Sequence, residues 1–381
     1  MGPLDGVRVI EIAGIGPGPF CALMLSDMGA EVVRIDRAQT VLGGDPDDPP
    51  KETLNRGRRS VGVDLKNPAG VETVLSMVEQ ADGLIEGFRP GVAERLGIGP
   101  EDCLGRNPRL VYGRMTGWGQ DGPYAEMAGH DINYIALAGA LHPVGRAGDP
   151  PVPALNMIAD FGGGGMLLAF GLVCGILEAR QSGEGQVVDA AMVDGAALLT
   201  TMFHGLRASG WWNLERGTNV LDTGAWFYEV YECADGRHVA VGSLEPQFFA
   251  ELVQRTGLAE RFGDPAQMNR DEWPERKAQL AAIFEEKTRD EWVELLEGTD
   301  VCFAPVLSLA EAPEHPHNRH RETFADVAGV VQPNAAPRFS RTPPGIQGPP
   351  AHAGQHTDEV LAAWGFDAER ISGLRESGAI A

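Results

Sequence analysis

Val7–Asp36 reads VRVIEIAGIGPGPFCALMLSDMGAEVVRID, and this stretch decides the fold. Val7–Ala13 is a β-branched run suited to a buried strand. Gly14–Pro19 is a turn built of glycine and proline, Phe20–Met28 has helical spacing and stops at Gly29, and Glu31–Asp36 is a second short strand. Parallel neighbours need a crossover, and a helix is the usual one, so strand, turn, helix and strand open a parallel sheet. The alternation continues with strands at Ser60–Asp64, Gly83–Glu86 and Leu110–Met115 and a helix at Pro68–Gln80. The chain through Met115 is therefore expected to form a doubly wound, Rossmann-like α/β unit.

A glycine turn after a first strand, with Asp36 at the end of the second, invites comparison with a dinucleotide-binding fingerprint. Pro17 and Pro19 count against it, because they remove two backbone N–H donors and Pro19 stands where the third glycine is needed. A tight strand-to-helix turn without a nucleotide is the better expectation.

Beyond this unit, Gly162–Gln181 is compatible with a long helix, Gln186–Ala190 with a strand, and the following run with a helix to about Ser209. Ala225–Glu232 and His238–Ser243 flank the turn Ala234–Arg237 and predict a hairpin that opens a second domain. Pro246–Thr256, Glu272–Thr288 and Arg289–Gly298 have amphipathic spacing. Glu311–Gln355 is rich in proline and glycine and is expected to be a long connection, and Thr357–Leu374 to be one helix. The cluster His315-Pro-His-Asn-Arg-His320 is expected to be loop and no metal site, since Pro316 breaks the spacing that two ligands on one helix need.

The 381 residues include 31 Lys and Arg against 54 Asp and Glu, a formal charge of −23. Such a surface repels nucleic acid and anionic membranes, so an anionic ligand must be held by local cations. No apolar run is expected to reach the length a bilayer requires, and the start carries no basic, apolar leader. Five scattered cysteines, without CxxC, fit a reducing compartment and are expected to be buried small apolar residues. These features predict a soluble, intracellular, cytoplasmic protein with neither nucleic-acid nor membrane partners.

Chemistry gathers in Met127–Met166, where His130 lies near one end and Asp160 near the other, immediately before Phe161-Gly-Gly-Gly-Gly165. Alone, His130 is an ordinary polar residue at a helix start, Asp160 an ordinary N-cap and Glu245 an ordinary acid flanking a helix. Together, a carboxylate, an imidazole and free N–H groups at a glycine-rich helix start would suffice to remove a proton beside a carbonyl. Basic residues recur around the strands: Arg37, Arg56, Arg58, Arg59, Lys66, Arg89, Arg95 and Arg114. At carboxyl ends of sheet strands they would suit a polyanion such as a phosphorylated cofactor.

Long blocks carry a resemblance along most of the chain: LDGVRVIEIAGIGPGP, GAEVVRIDR, VDLKNPAG, LIEGFRPGVAERLGIG, YGRMTGWGQDGPYAEMAGHDINYIALAGALH, ADFGGGGM, GEGQVVDAAMVDG, YECADGRHVAVGSLEPQFF and PRFSRTP. In these the sequence resembles the α-methylacyl-CoA racemases of the class III CoA-transferase (CaiB/BaiF-type) superfamily. The resemblance implies a 2-methylacyl-CoA thioester substrate, with CoA as part of the substrate and no separate cofactor or metal. It places CoA contacts on Arg37, on Val63, Asp64, Leu65 and Lys66, on Gly87, Phe88 and Arg89, on Arg95, and on Gly129, Asp131, Ile132, Asn133 and Tyr134. It implies an acid/base pair of His130 and Asp160, with Glu245 orienting the histidine.

The implied fold is a Rossmann-like parallel-sheet large domain plus a smaller α+β domain, in an interlocked homodimer where Glu245 would act on the partner's site. The domains would be 1–190 (large, CoA-binding), 191–225 (linker helices), 226–318 (small), 319–333 (linker) and 334–381 (return to the large domain). Transferases of the superfamily use the matching aspartate as a nucleophile and usually carry an apolar or aromatic residue at the histidine place. Gly129-His130-Asp131 and Ser243-Leu-Glu-Pro246 thus favour a racemase over a CoA-transferase with Asp160 as nucleophile. A non-catalytic acyl-CoA-binding protein would need neither group.

Overall fold

The computed structural model describes residues 2–381. The chain forms two compact units, Met1–Ala138 with Leu155–Leu199 and Pro316–Ala381, and Gly139–Ala154 with Thr200–His315.

The first unit is built on β1 (Arg8–Ile12), α1 (Pro17–Asp27), β2 (Glu31–Arg37), β3 (Arg59–Val63), α2 (Pro68–Val78), β4 (Gly83–Glu86), α3 (Val92–Arg95), α4 (Pro100–Arg106) and β5 (Val111–Thr116). After α5 (Asp131–Leu137) the chain leaves this unit, and it re-enters at Leu155 to make α6 (Met166–Ser182), β6 (Gln186–Ala191) and α7 (Met192–Leu199). The six strands pair in parallel in the order β3-β2-β1-β4-β5-β6. This is the doubly wound order expected from Val7–Asp36. Its direction reverses between β1 and β4, where such sheets bind ligands beyond their carboxyl ends.

Strand cores are apolar on both faces because helices cover both: Ile10, Val33, Val61, Leu84 and Tyr112 are all buried. Asn67 caps α2 by accepting the Ala69 N–H, and Pro68 at the first helical position lacks only an N–H that a helix start leaves unused.

The second unit holds α8 (Thr201–Ala208), the antiparallel sheet β7 (Tyr228–Glu232), β8 (His238–Gly242) and β9 (Phe303–Pro305), and helices α9 (Pro246–Thr256), α10 (Leu258–Phe262), α11 (Trp273–Phe284) and α12 (Arg289–Leu296). Its core is aromatic: Phe227 meets Phe249 and Trp273 edge-on, and Tyr231 stacks on Phe284. The expected hairpin stands, with Gly236 in the left-handed region at its turn.

Returning to the first unit, Glu311–Gln355 is not bare connection. It contains α13 (Pro316–His320), in part of the histidine cluster expected to be loop, and an antiparallel hairpin of β10 (Phe324–Val327) and β11 (Val330–Pro333). Arg56 holds this hairpin by donating to Gln332 Oε1 at 2.9 Å and to the Pro333 carbonyl at 2.6 Å. The expected last helix is two, α14 (Thr357–Ala363) and α15 (Ala368–Glu376), because Gly365 between them takes a left-handed φ of 87°. Thr357 binds α14 to β3 by accepting the Gly62 N–H.

Two further expectations need correction. Cys174 and Cys302 are exposed, whereas Cys21, Cys103 and Cys233 are buried. The helix ending at Ser182 begins at Met157 and runs 26 residues, so one helix is long and apolar enough, by length and composition, to cross a membrane. The glycines conceal this length in the sequence, because they read as the helix start. Here one face of that helix packs on β5: Leu168 and Leu172 fill the space left by Gly113, and a Cβ on Gly175 would lie 2.7 Å from Val111.

Candidate active site

The site lies beyond the carboxyl ends of β1 and β4. Gly16 takes a left-handed φ of 69°, which only glycine adopts without strain, and Pro17 then opens α1 at the position that needs no N–H donor. The prolines that argue against a dinucleotide thus serve the helix start. Asp36 is not free for a ribose, since its Oδ2 accepts from Arg34 Nε at 2.7 Å and from Ser60 Oγ at 2.6 Å.

Asp160 reaches this turn: its Oδ2 stands 3.6 Å from where a Cβ on Gly16 would be. It sits in a π-helical run, Met157–Gly165, that continues into α6. Such wide turns are rare and gather at functional sites. Asn156 donates from Nδ2 to Asp160 Oδ2 at 3.1 Å. Half-burial raises the carboxyl above its ordinary range; the Asn156 hydrogen bond opposes this, the neighbouring charge of Asp131 adds to it, and His130 opposes it. His130 and Asp160 are therefore electrostatic neighbours.

His130 is the N-cap of α5, in extended conformation, with an exposed side chain. Its backbone N–H donates to Asn133 Oδ1 at 3.1 Å, which fixes the residue and leaves the imidazole outside the helix. Asp131 is buried and accepts from the backbone N–H groups of Ala159 and Asp160. Ile132 and Asn133 are exposed. Tyr134 is buried, its ring edge-on to Trp118 with centroids 4.7 Å apart. Burial raises the Tyr134 hydroxyl, Asp160 raises it further and Arg89 lowers it, so Arg89 faces the same space. Gly129 must be glycine, because a Cβ there would lie 2.7 Å from the Tyr134 ring.

The glycine run does not do what the sequence suggested. Gly163, Gly164 and Gly165 are buried inside a continuous helix. A Cβ on Gly163 would meet the Ala196 nitrogen at 2.6 Å, and one on Gly165 the Pro17 carbonyl at 2.7 Å. They let the π-helical run approach α7 and α1 closely, and they offer no open N–H cradle to a thioester oxygen. The free helix end lies earlier, at Met157, and its Ala159 and Asp160 N–H groups are taken by Asp131.

The basic residues divide into two sets. Arg58 pairs with Glu11 at 3.1 Å, Arg56 with Asp27 at 2.5 Å, Arg59 with Glu31 and Glu359, and Arg114 with Glu86 and Glu94. Arg56 and Arg58 precede β3 and Arg59 is its first residue, so all three lie at its amino end, not its carboxyl end. Arg37, Lys66, Arg89 and Arg95 are exposed and, among the described residues, none has an acidic partner within salt-bridge distance. Arg37 ends β2, Lys66 and Arg89 follow the carboxyl ends of β3 and β4, and Arg95 ends α3.

Around them, Val63 ends β3, Asp64 Oδ1 accepts the Lys66 N–H at 3.0 Å, and Leu65 packs on the core. The Gly87-Phe88-Arg89 loop is tied down by Glu86, whose Oε2 accepts the Phe88 N–H at 2.7 Å. That tie, Asn156 and the bonds of Asp131 are contacts around the candidate site that the sequence did not point to. Only Asn156, four residues before Asp160, left a spacing from which its role could have been read.

Glu245 belongs to the second unit, where it is the exposed N-cap of α9. Its loop is held by Gln267, which donates to the Ser243 and Leu244 carbonyls at 3.1 and 2.9 Å. Among the described residues no group of His, Cys, Asp or Glu gathers as a metal site.

The geometry thus combines a perturbed carboxylate, an imidazole beside it and unpaired cations at a sheet switch point. The model of CoA-transferase family III matches residues 4–357. The chain is 46% identical to the α-methylacyl-CoA racemase of Mus musculus and 42% identical to that of Homo sapiens, in each case over 371 residues covering 97% of this chain and 95% of the relative. A CaiB/BaiF family protein from Brucella suis has a solved structure that superimposes with a TM-score of 0.81 at 26% identity, covering 95% of this chain and 99% of that one. This chain belongs to CoA-transferase family III.

Proposed function

We propose that this protein is an α-methylacyl-CoA racemase, an isomerase that interconverts the (R) and (S) forms of 2-methylacyl-CoA thioesters. The observation that carries the proposal is the placing of His130 beside a half-buried Asp160 whose carboxyl is raised above its ordinary range. An α-proton of a thioester is a weak acid, and a base whose conjugate acid is less acidic than a solvated carboxyl takes it more readily.

One of the two residues removes the α-proton, leaving an enolate with its charge on the thioester oxygen. The other gives a proton to the opposite face of the same carbon, so atoms and charge balance when either enantiomer enters. Arg37, Lys66, Arg89 and Arg95 supply the cations that the phosphates of CoA require in a chain of net charge −23. Val63–Leu65, Gly87, Phe88, Gly129 and Asp131–Tyr134 complete the CoA-side wall, and Glu245 orients the His130 imidazole from the second unit of a partner copy in an interlocked homodimer.

Support for self-association comes from the apolar stripe Met166, Phe170, Val173 and Leu177 along α6, spaced as one helix face and exposed by 38–67%. Five unpaired cysteines accord with a cytoplasmic, reducing setting.

Incubation of a 2-methylacyl-CoA in D2O tests the activity: deuterium enters the α-carbon of both enantiomers. Absence of exchange across several acyl chains would end the proposal. An Asp160 adduct trapped by hydroxylamine during turnover would replace it with a CoA-transferase.

A further inference from the structure

Asp131 is spent on a neighbouring segment and not on its own helix. It is 4% exposed, and its Oδ2 accepts the Ala159 N–H at 2.7 Å and the Asp160 N–H at 2.9 Å. Both lengths lie within the range of well-made N–H···O hydrogen bonds. Both donors belong to the first turn of the helix that starts at Met157, where no earlier carbonyl is available to them. Ala159 is fully buried, so water does not replace the carboxylate there. The other oxygen, Oδ1, is buried and has no hydrogen-bond partner among the described residues, so the two N–H groups alone orient the carboxylate.

Asp131 directly follows His130 in the chain, and its two donors are the backbone of Asp160 and the residue before it. One carboxylate therefore joins the segments that carry the two acid/base residues, although Gly139–Ala154 between them belongs to the other unit.

We propose that Asp131 is a positioning residue for the proton transfer: by clasping the Ala159 and Asp160 N–H groups it sets the reach of the Asp160 carboxylate to a substrate α-carbon shared with His130. The proposal rests on the racemase reading. It differs from a purely structural role in one respect. Loss of the clasp lets the Asp160 backbone shift and leaves His130 bonded to Asn133, so the damage falls on one face of the substrate.

The test resolves solvent deuterium entry by enantiomer, in the full-length protein with one 2-methylacyl-CoA. The enantiomer whose α-proton faces Asp160 is identified as the one that stops exchanging in Asp160→Asn. In Asp131→Ala, exchange of that enantiomer falls about ten- to hundredfold, the range for a catalytic group displaced by an ångström or less. Exchange of the other enantiomer falls clearly less, and because Asp131 also belongs to the CoA-side wall any change in KM is shared by both enantiomers. Asp131→Asn, whose amide oxygen still accepts both N–H groups, loses clearly less than Asp131→Ala.

Equal losses for both enantiomers, or equal damage by Asn and Ala, would overturn the proposal, the first in favour of a general fold defect and the second in favour of a charge effect. Should Asp131→Ala not fold, Asp131→Ser, which can satisfy one N–H, is read the same way; if neither folds, the clasp belongs to the fold and the proposal fails. No exchange in the unaltered protein overturns the racemase reading itself, and that result is seen before any variant is made.

Discussion

The two edges of the six-stranded sheet use the same residue types for opposite ends. At the amino ends of β1 to β3 the arginines are paired with acids: Arg8 and Arg59 share Glu31, Arg58 is buried against Glu11 and Arg56 against Asp27. A cavity of about 690 Å³ opens there, lined by Arg8, Glu31, Arg59 and His356, yet its charges are already neutralised by one another. At the carboxyl edge Arg37, Lys66, Arg89 and Arg95 have no acid within reach among the described residues, in a chain with a large excess of acids. Cations left unpaired against that background are the ones the proposed function assigns to the CoA phosphates. Size of cavity is thus a poorer guide to the site than unspent charge.

The sharpest separation of the edges is catalytic. His130→Ala and Asp160→Ala should each lower α-proton exchange by about 10²–10⁴-fold, the usual contribution of a placed acid or base. The unfolding midpoint should stay near that of the parent, because neither side chain is fully buried. The amino edge should behave in reverse. Arg58 and Glu11 have side-chain exposures of 1% and 0%, and Arg58 also donates to the Pro19 and Arg56 carbonyls. Arg58→Met leaves a buried carboxylate alone and should cost about 3–5 kcal/mol in urea denaturation. A loss of that size, with the remaining folded fraction still exchanging at the parent rate, sustains the division; a midpoint unchanged by Arg58→Met breaks it.

A weaker effect is expected where the cations are free. Arg89→Ala should raise KM for the acyl-CoA about tenfold, the effect of removing one charge-assisted contact. The midpoint should not move, and the KM difference should shrink as salt screens the remaining charges. A variant that lowers the midpoint and leaves KM alone would place Arg89 with the structural arginines.

The sheet was legible because its signals are local. β-Branched runs, the Gly14–Pro19 turn and the end of α1 before Gly29 each act within a few residues, whereas the strand order, with its reversal between β1 and β4, is set by long-range pairing that the sequence does not show. That His130 and Asp160 come into electrostatic reach of each other was legible from residue type and from the resemblance together, and their acid/base roles belong to the proposed function. What failed depended on distant contacts. Arg56, Arg58 and Arg59 resembled ligand-binding cations until Asp27, Glu11 and Glu31 came opposite them from other elements.

The glycines at 162–165 read as an anion cradle because the sequence does not show α7 lying against them at Gly195, where a Cβ would clash with the Gly163 carbonyl. The β10–β11 hairpin was hidden in a proline-rich stretch because its turn uses Ala328 and Gly329, both at positive φ, instead of Asn-Gly. The duty of Asp131 to the Ala159 and Asp160 N–H groups has no local signature at all.

The smallest predicted effect links the two kinds of charge. Asp160 belongs to the ligand edge, yet its carboxyl is raised chiefly by burial, so folding it in ionised form costs stability. A carboxyl whose folded-state affinity for protons exceeds its unfolded one contributes stability while it is protonated, at pH below its ordinary value. It loses that contribution as pH rises through the raised value. Asp160→Asn removes the charge and keeps an oxygen for Asn156. At pH 7 it should therefore raise the thermal midpoint, by less than about 2–4 °C, the shift worth 1 kcal/mol in a large domain. The difference should shrink as pH falls through the ordinary carboxyl range and vanish by about pH 3, where folded and unfolded parent are both protonated. A variant that is both inactive and slightly more stable at neutral pH is what a charge kept for chemistry predicts. A variant destabilised at neutral pH would mean that Asp160, like Arg58, is held for the fold.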